Sequence, residues 1–248
     1  MIKLFRKIRY DLMENNKTGK YLKYAIGEIA LVVIGILIAL QINNLNEKKN
    51  TEIKTQEYYS QLLEDLKSDQ VFAAQTNEAN SEQLTAYENY TNLYYSDEVL
   101  TPNQVYDQIS KLPLIINPLT FNSSTIEALQ NSGDIRLIPS NIRNRLIDLK
   151  RLQSLTITRQ EQIGVGTNSL VQKLSTLLGA TTLPERLENQ PKLNDFLNIE
   201  ANLKKLILEY EGIHRWREVS LNETIGRLEQ MSKDIDAVVE LINAELEN

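Results

Sequence analysis

The chain has 248 residues, a formal net charge of −6, one histidine and no cysteine. Without cysteine there can be no disulfides, iron–sulfur clusters or thiol catalysis, and a single histidine rules out the common zinc ligand sets. The acid excess argues against a nucleic-acid surface, which needs clustered Lys and Arg.

The first 24 residues hold seven of the basic side chains and only two acidic ones, Asp11 and Glu14. Ile2, Phe5, Ile8 and Leu12 recur at helical spacing, with Lys3, Arg6, Lys7 and Arg9 between them. This pattern suits a helix lying in a membrane interface with its cations toward anionic headgroups. It equally suits a plain basic flank.

Tyr24 to Ile42 follows, and Ile29 to Leu40 contains no polar side chain. As a helix the stretch reaches roughly 28 Å at about 1.5 Å per residue, close to a hydrocarbon thickness of about 30 Å. A bilayer gives the backbone no water to bond, so a spanning segment must be helical. The cation excess before it and the mixed charges after it (Glu47, Lys48, Lys49, Glu52, Lys54) predict a cytoplasmic N-terminus. A cleaved signal peptide would show a small-x-small cleavage pattern, and Leu37 breaks it before Ala39. The expected division is a basic cytoplasmic segment 1–23, a transmembrane helix 24–44 and an extracytoplasmic domain 45–248.

Within the apolar segment, Gly27, Leu31, Gly35 and Ala39 repeat every fourth residue and share one face. Gly35-x-x-x-Ala39 is the small-residue spacing that lets two helices approach closely. The polar residues Glu28 and Gln41 stand at the two ends of the segment. An intramembrane carboxylate is expensive and draws attention to Glu28. It could pair with Lys20 or Lys23 near the inner headgroups, bond between helices of an oligomer, or relay ions.

Neither Gly nor Pro occurs between Gly35 and Pro102, so the helix can continue outward. Leu45, Ile53, Leu62, Leu63, Leu66, Phe72, Leu84, Tyr87 and Leu93 give it a sparse apolar stripe, which the polar run Gln75 to Gln83 could break. Thr101-Pro102-Asn103-Gln104 is a capping box with Pro in the first turn, predicting a short helix to Lys111. Pro113 and Pro118 bracket an irregular link. Ser124 to Glu127 is a second capping box, whose helix should end at Gly133. A long helix begins at Ser140, and the Gly164-Val165-Gly166 step should kink or interrupt it.

After a turn-rich link from Gly179 to Pro191 comes the best apolar pattern of the domain. Leu221, Ile225, Leu228, Ile235, Val239, Ile242 and Leu246 form a heptad seam, with Ser232 the one polar member. The seam serves packing within the monomer or a coiled coil between subunits.

The runs Tyr24-Ala25-Ile26-Gly27-Glu28-Ile29 and Val32 to Asn44 resemble an uncharacterised family of single-pass membrane proteins widespread in Bacteroidota. So does Ser124-Thr125-Ile126-Glu127-Ala128-Leu129, followed by Asn131 to Ile138. Leu45 stands where that pattern favours an aromatic. The resemblance implies a bacterial inner-membrane protein facing the periplasm and supplies no activity.

Catalytic residues are not indicated. His214 lies beside Arg215, Trp216 and Arg217, and reads as a helix-face residue near Glu211 or Glu218 rather than as part of a triad. Gly164-x-Gly166 lacks the rest of a phosphate loop. The eleven tyrosines suit half-buried core positions or a partner surface.

The sequence therefore predicts an all-α protein: one N-terminal transmembrane helix plus an elongated antiparallel extracytoplasmic helical bundle. Its expected role is non-catalytic and free of cofactors and metals, an oligomeric envelope scaffold or accessory subunit. The expected partners are the lipid bilayer, further copies of the chain and a periplasmic or membrane protein, with no nucleic acid. The alternatives are a periplasmic solute sensor and a channel subunit using Glu28.

Overall fold

The computed structural model describes residues 18–114, 116–178 and 183–247. Every regular element among them is helical. Helix α1 spans Thr18–Asn92, α2 Pro102–Ile109, α3 Ser124–Ser132 and α4 Ser140–Leu178. Two short helices, α5 (Leu183–Leu187) and α6 (Pro191–Leu197), lead to α7 (Leu203–Leu246). The chain divides into two units at Glu57 and Tyr58.

In the first unit, α1 carries the apolar segment, and every side chain from Ile29 to Asn50 is exposed. This helix is long and apolar enough to cross a membrane.

In the second unit, the rest of α1 packs with α3, α4 and α7 around a core of Leu62, Leu66, Ile126, Leu146, Met231 and Ile235, among others. A second apolar core joins Tyr90, Val105, Ile109, Leu174, Leu206 and Ile213. Cross-links between α4 and α7 run in opposite chain directions: Lys173 pairs with Glu209 at 2.7 Å and Arg159 with Glu223 at 3.3 Å.

The ends of the helices follow local chemistry where neighbours do not interfere. At α2 the Thr101 N–H donates to Gln104 Oε1 at 2.8 Å, and the Gln104 N–H returns to Thr101 Oγ at 3.3 Å. This helix stops at Ile109, two residues before Lys111. Gly133 closes α3 at φ +77°, a left-handed conformation that only glycine adopts at little cost.

Two expectations are corrected. Ser124 is not the cap of α3: Ser123 precedes the helix, and its hydroxyl donates to Glu127 Oε1 at 2.7 Å. The backbone donor at Thr125 is taken by Asp65 Oδ2 of α1 at 3.2 Å, so the cap comes from a distant helix. Nor does the Gly164–Gly166 step interrupt α4, which runs unbroken from Ser140 to Leu178. Ile163 and Thr167 are buried on either side of it. Their packing outweighs a propensity loss of about 1 kcal/mol per glycine.

Candidate functional site

The first candidate is the exposed apolar face of α1. Gly27, Leu31, Gly35, Ala39 and Gln41 are all exposed, while Glu28 is half-buried. A Cβ added at Gly27 or Gly35 would meet nothing within 4 Å. Contiguous exposed apolar surface of this extent is rare on soluble monomers and marks contact with a membrane or partner. Lys3, Arg6, Lys7 and Arg9 lie outside the described residues.

The heptad residues of α7 divide. Leu228, Ile235 and Ile242 are fully buried, Leu221, Ile225 and Val239 are half-buried, and Leu246 is exposed. The second buried line is Thr224, Met231 and Val238, each one residue before the predicted Ile225, Ser232 and Val239. Burial therefore keeps one predicted line of the seam and moves the other by one position.

The second candidate was not predicted. Between the two apolar cores lies a layer of buried polar side chains: Asn80 on α1, Thr156 and Thr167 on α4, and His214, Arg217, Ser220 and Thr224 on α7. Several answer to their own helix, as Thr156 Oγ donates to the Leu152 carbonyl at 2.7 Å and Ser220 Oγ to that of Trp216 at 2.9 Å. Others do not. Asn80 Nδ2, Asn77 Oδ1, Thr167 Oγ1 and His214 Nε2 are buried with no hydrogen-bond partner. Leaving such an atom unsatisfied costs about 1–3 kcal/mol.

His214 is not on an open helix face. It is buried between Tyr87 and Tyr210, whose rings lie 5.8 and 6.2 Å away and nearly parallel to it. Burial, helped by the Arg217 charge, lowers its pKa to about 4 against a bond from the ring to the Ile109 backbone, so the imidazole is neutral at pH 7. Arg217, also buried, donates to the Gln83 side chain and to the Leu114 carbonyl at 3.4 Å. Nearby, Tyr90 and Tyr94 both donate to Glu211. Tyr59, Tyr90 and Tyr210 are core residues, whereas Tyr95 is 86% exposed.

Among the described residues, Asp69 is the buried acid of the domain. Its Oδ1 accepts from the Asn122 N–H and its Oδ2 from Gln153 Nε2, both at 2.7 Å. Burial raises its pKa to about 6 even though both donors favour the carboxylate. Asp65, one turn earlier, accepts from Thr125 N and Ser124 Oγ. Together the two carboxylates moor the start of α3 to α1. Between these moorings and the Arg217 bond to Leu114, the Asn117 carbonyl accepts from Gln160 of α4 at 3.4 Å.

No group of three or more His, Asp or Glu side chains among the described residues is placed to hold a metal ion. A model described as a family of unknown function (DUF6090) matches residues 28–150. The matched region takes in most of the apolar segment, the Asp65–Asp69 mooring and the α3 turn, and leaves out α7. No curated protein and no solved structure matches the chain.

Proposed function

We propose that the chain is a non-catalytic, single-pass membrane protein, with its N-terminus in the cytoplasm and the residues from about Leu45 onward forming an elongated antiparallel helical bundle in the periplasm. The observation that carries this reading is the exposed apolar run of α1, bounded by a basic flank before it and mixed charge after it. Its role is that of a scaffold or accessory subunit of the bacterial inner membrane, assembled as a homo-oligomer and presenting the helical domain to a protein partner. Support for assembly comes from the exposed face of Gly27, Gly35 and Ala39.

Reporter fusions test the topology. A reporter active only outside the cytoplasm should work after Asn248 and fail before Lys20, with the protein resisting alkaline extraction from membranes. The reverse pattern, or release by alkali, defeats the reading. Solute sensing is the second reading, favoured by the buried unpartnered polar atoms of the middle layer. The channel reading requires a conductance in reconstituted vesicles that Glu28→Gln removes, and we expect none.

A further inference from the structure

Helices α4 and α7 are held in antiparallel register by Arg159–Glu223 and Lys173–Glu209. Gly166 and Trp216 each stand seven residues from both pairs, so they face each other across the furrow between the two helices. Trp216, the only tryptophan of the chain, is 46% exposed, and Val219 beside it is 51% exposed. A Cβ added at Gly166, or at Gly212 one turn before Trp216, would meet nothing within 4 Å. The indole therefore does not fill the gap that the two glycines leave. Past Arg159 the same furrow opens into a groove of about 460 Å³, lined by Leu152 and the exposed Leu155 together with Arg145, Asp148, Arg151 and Asp234. From Arg145 to Lys173 the furrow runs about 40 Å at about 1.5 Å per residue.

The charges along it are unevenly presented. In the groove, Arg145 and Arg151 balance Asp148 and Asp234. Toward Trp216 the cations prevail. Lys173 is 57% exposed against 17% for its partner Glu209, and Arg215 is 67% exposed against 31% for Glu218. Glu223 is shared by Arg159 and Arg227, so one carboxylate serves two guanidinium groups. This part of the surface is an apolar strip with a basic rim, in a chain whose acids outnumber its bases. Such a rim favours an acidic partner and rejects a basic one.

We propose that the α4–α7 furrow is the docking face for an acidic amphipathic helix of a partner protein. The apolar stripe of that helix lies on Leu155, Val219 and Trp216, and its carboxylates meet Arg159, Lys173 and Arg215. A long, open furrow between two helices is shaped for the side-chain ridge of a further helix. The bare backbone at Gly166 and Gly212 lets that ridge approach closely. The proposal rests on the reading that the domain meets a protein partner, and it names the face used and the chemistry of that partner.

The test uses the full chain in nanodiscs of neutral lipid, with Trp216 emission as the readout and empty nanodiscs as the control. The probe is a synthetic peptide of about 28 residues, long enough to follow the furrow as a helix. It carries leucine at heptad positions a and d and glutamate at e and g, where like charges keep it from pairing with itself. Its twin carries lysine at e and g. The acidic peptide should bind saturably, shift Trp216 emission to the blue and weaken with salt. It should bind about tenfold or more tighter than the basic twin. Val219→Asp changes an exposed residue and should abolish binding while the chain stays folded. The double variant Lys173→Glu/Arg215→Glu should reverse the preference between the peptides. No saturable binding, equal binding of the twin, or full affinity in Val219→Asp would each overturn the proposal. A blue shift produced without peptide, by anionic lipid or by protein concentration alone, would give the face to the bilayer or to a second copy and overturn it too. None of these outcomes alters the reporter-fusion result, so the two readings fail separately.

Discussion

Gln153 donates to Asp69 across 84 residues of sequence, Nε2 to Oδ2 at 2.7 Å, in a position shielded from solvent. The same separation relates Leu62 to Leu146, which line one small cavity, and Tyr90 to Leu174, which share the second core. Eighty-four is twelve heptads, so α1 and α4 run in the same direction with their heptads in step. Helix α7 runs against both, as Gln70–Asp236 and Gln83–Arg217 show on one side and Arg159–Glu223 on the other. The polar bonds thus fix a register that sparse apolar stripes would leave free to slip.

Two of the buried titratable groups, His214 and Asp69, pull stability in opposite directions with pH. The folded chain keeps His214 neutral down to about pH 4, against an ordinary 6.5. The unfolded chain takes up that proton first, so acidification from 6.5 to 4 costs stability. The Asp69 pKa is about 6 in the folded chain against an ordinary 3.8. Here the folded chain takes up the proton first, so acidification from 6 to 3.8 adds stability. Relative to wild type, His214→Phe should gain stability as pH falls through this window, and Asp69→Asn should lose it. Melting curves collected from pH 4 to 7 check this; variant and wild-type profiles that stay parallel would refute both assignments.

Asp65→Ala removes the carboxylate that accepts from Thr125 N and Ser124 Oγ. Losing a capping acceptor costs about 1 kcal/mol. Hydrogen exchange should accelerate at the Thr125 amide and its neighbours while the amides of α7 keep their protection. Uniform acceleration would mean that Asp65 supports the whole domain rather than the start of α3.

Ile235 is fully buried and Leu246 is 42% exposed, although both belong to the predicted seam. Ile235→Ala should cost about 2–5 kcal/mol in denaturant unfolding of the detergent-solubilised chain. Leu246→Ala should stay within about 0.5 kcal/mol. A large loss at Leu246, accompanied by dissociation, would point to a coiled coil between subunits.

Gly35→Ile places a branched side chain on the exposed small-residue face of α1. Cross-linking in membranes should show weaker self-association than wild type, with insertion retained. Unchanged cross-linking would leave any assembly to the helical domain.

Signals confined to a few neighbouring residues were legible in the sequence. The apolar run from Ala25, the Thr101–Gln104 box, the Gly133 stop and the Ser140 start depend on nothing outside their own turn. What escaped depends on distant partners. The α3 cap belongs to Asp65, some 60 residues away, and α4 passes Gly164 because Ile163 and Thr167 are packed from other helices. The middle layer was hidden for a related reason. The Leu221 heptad line extends back to His214, and the Thr224 line back to Arg217 and Tyr210, but an apolar pattern stops at the first polar member. A single histidine and a single arginine at core heptad positions were the available signal, visible only once the seam was extended through them.

The order of the helices along the chain also sets a schedule for synthesis. Gln83 leaves the ribosome 134 residues before Arg217, the residue it will bind. At about 5–20 residues per second this is a wait on the order of ten seconds. During that interval Tyr59, Leu62, Leu66 and Ala73, all core residues in the finished fold, have no α7 to cover them. The nascent chain therefore presents a half-made core to its surroundings for far longer than a helix takes to form.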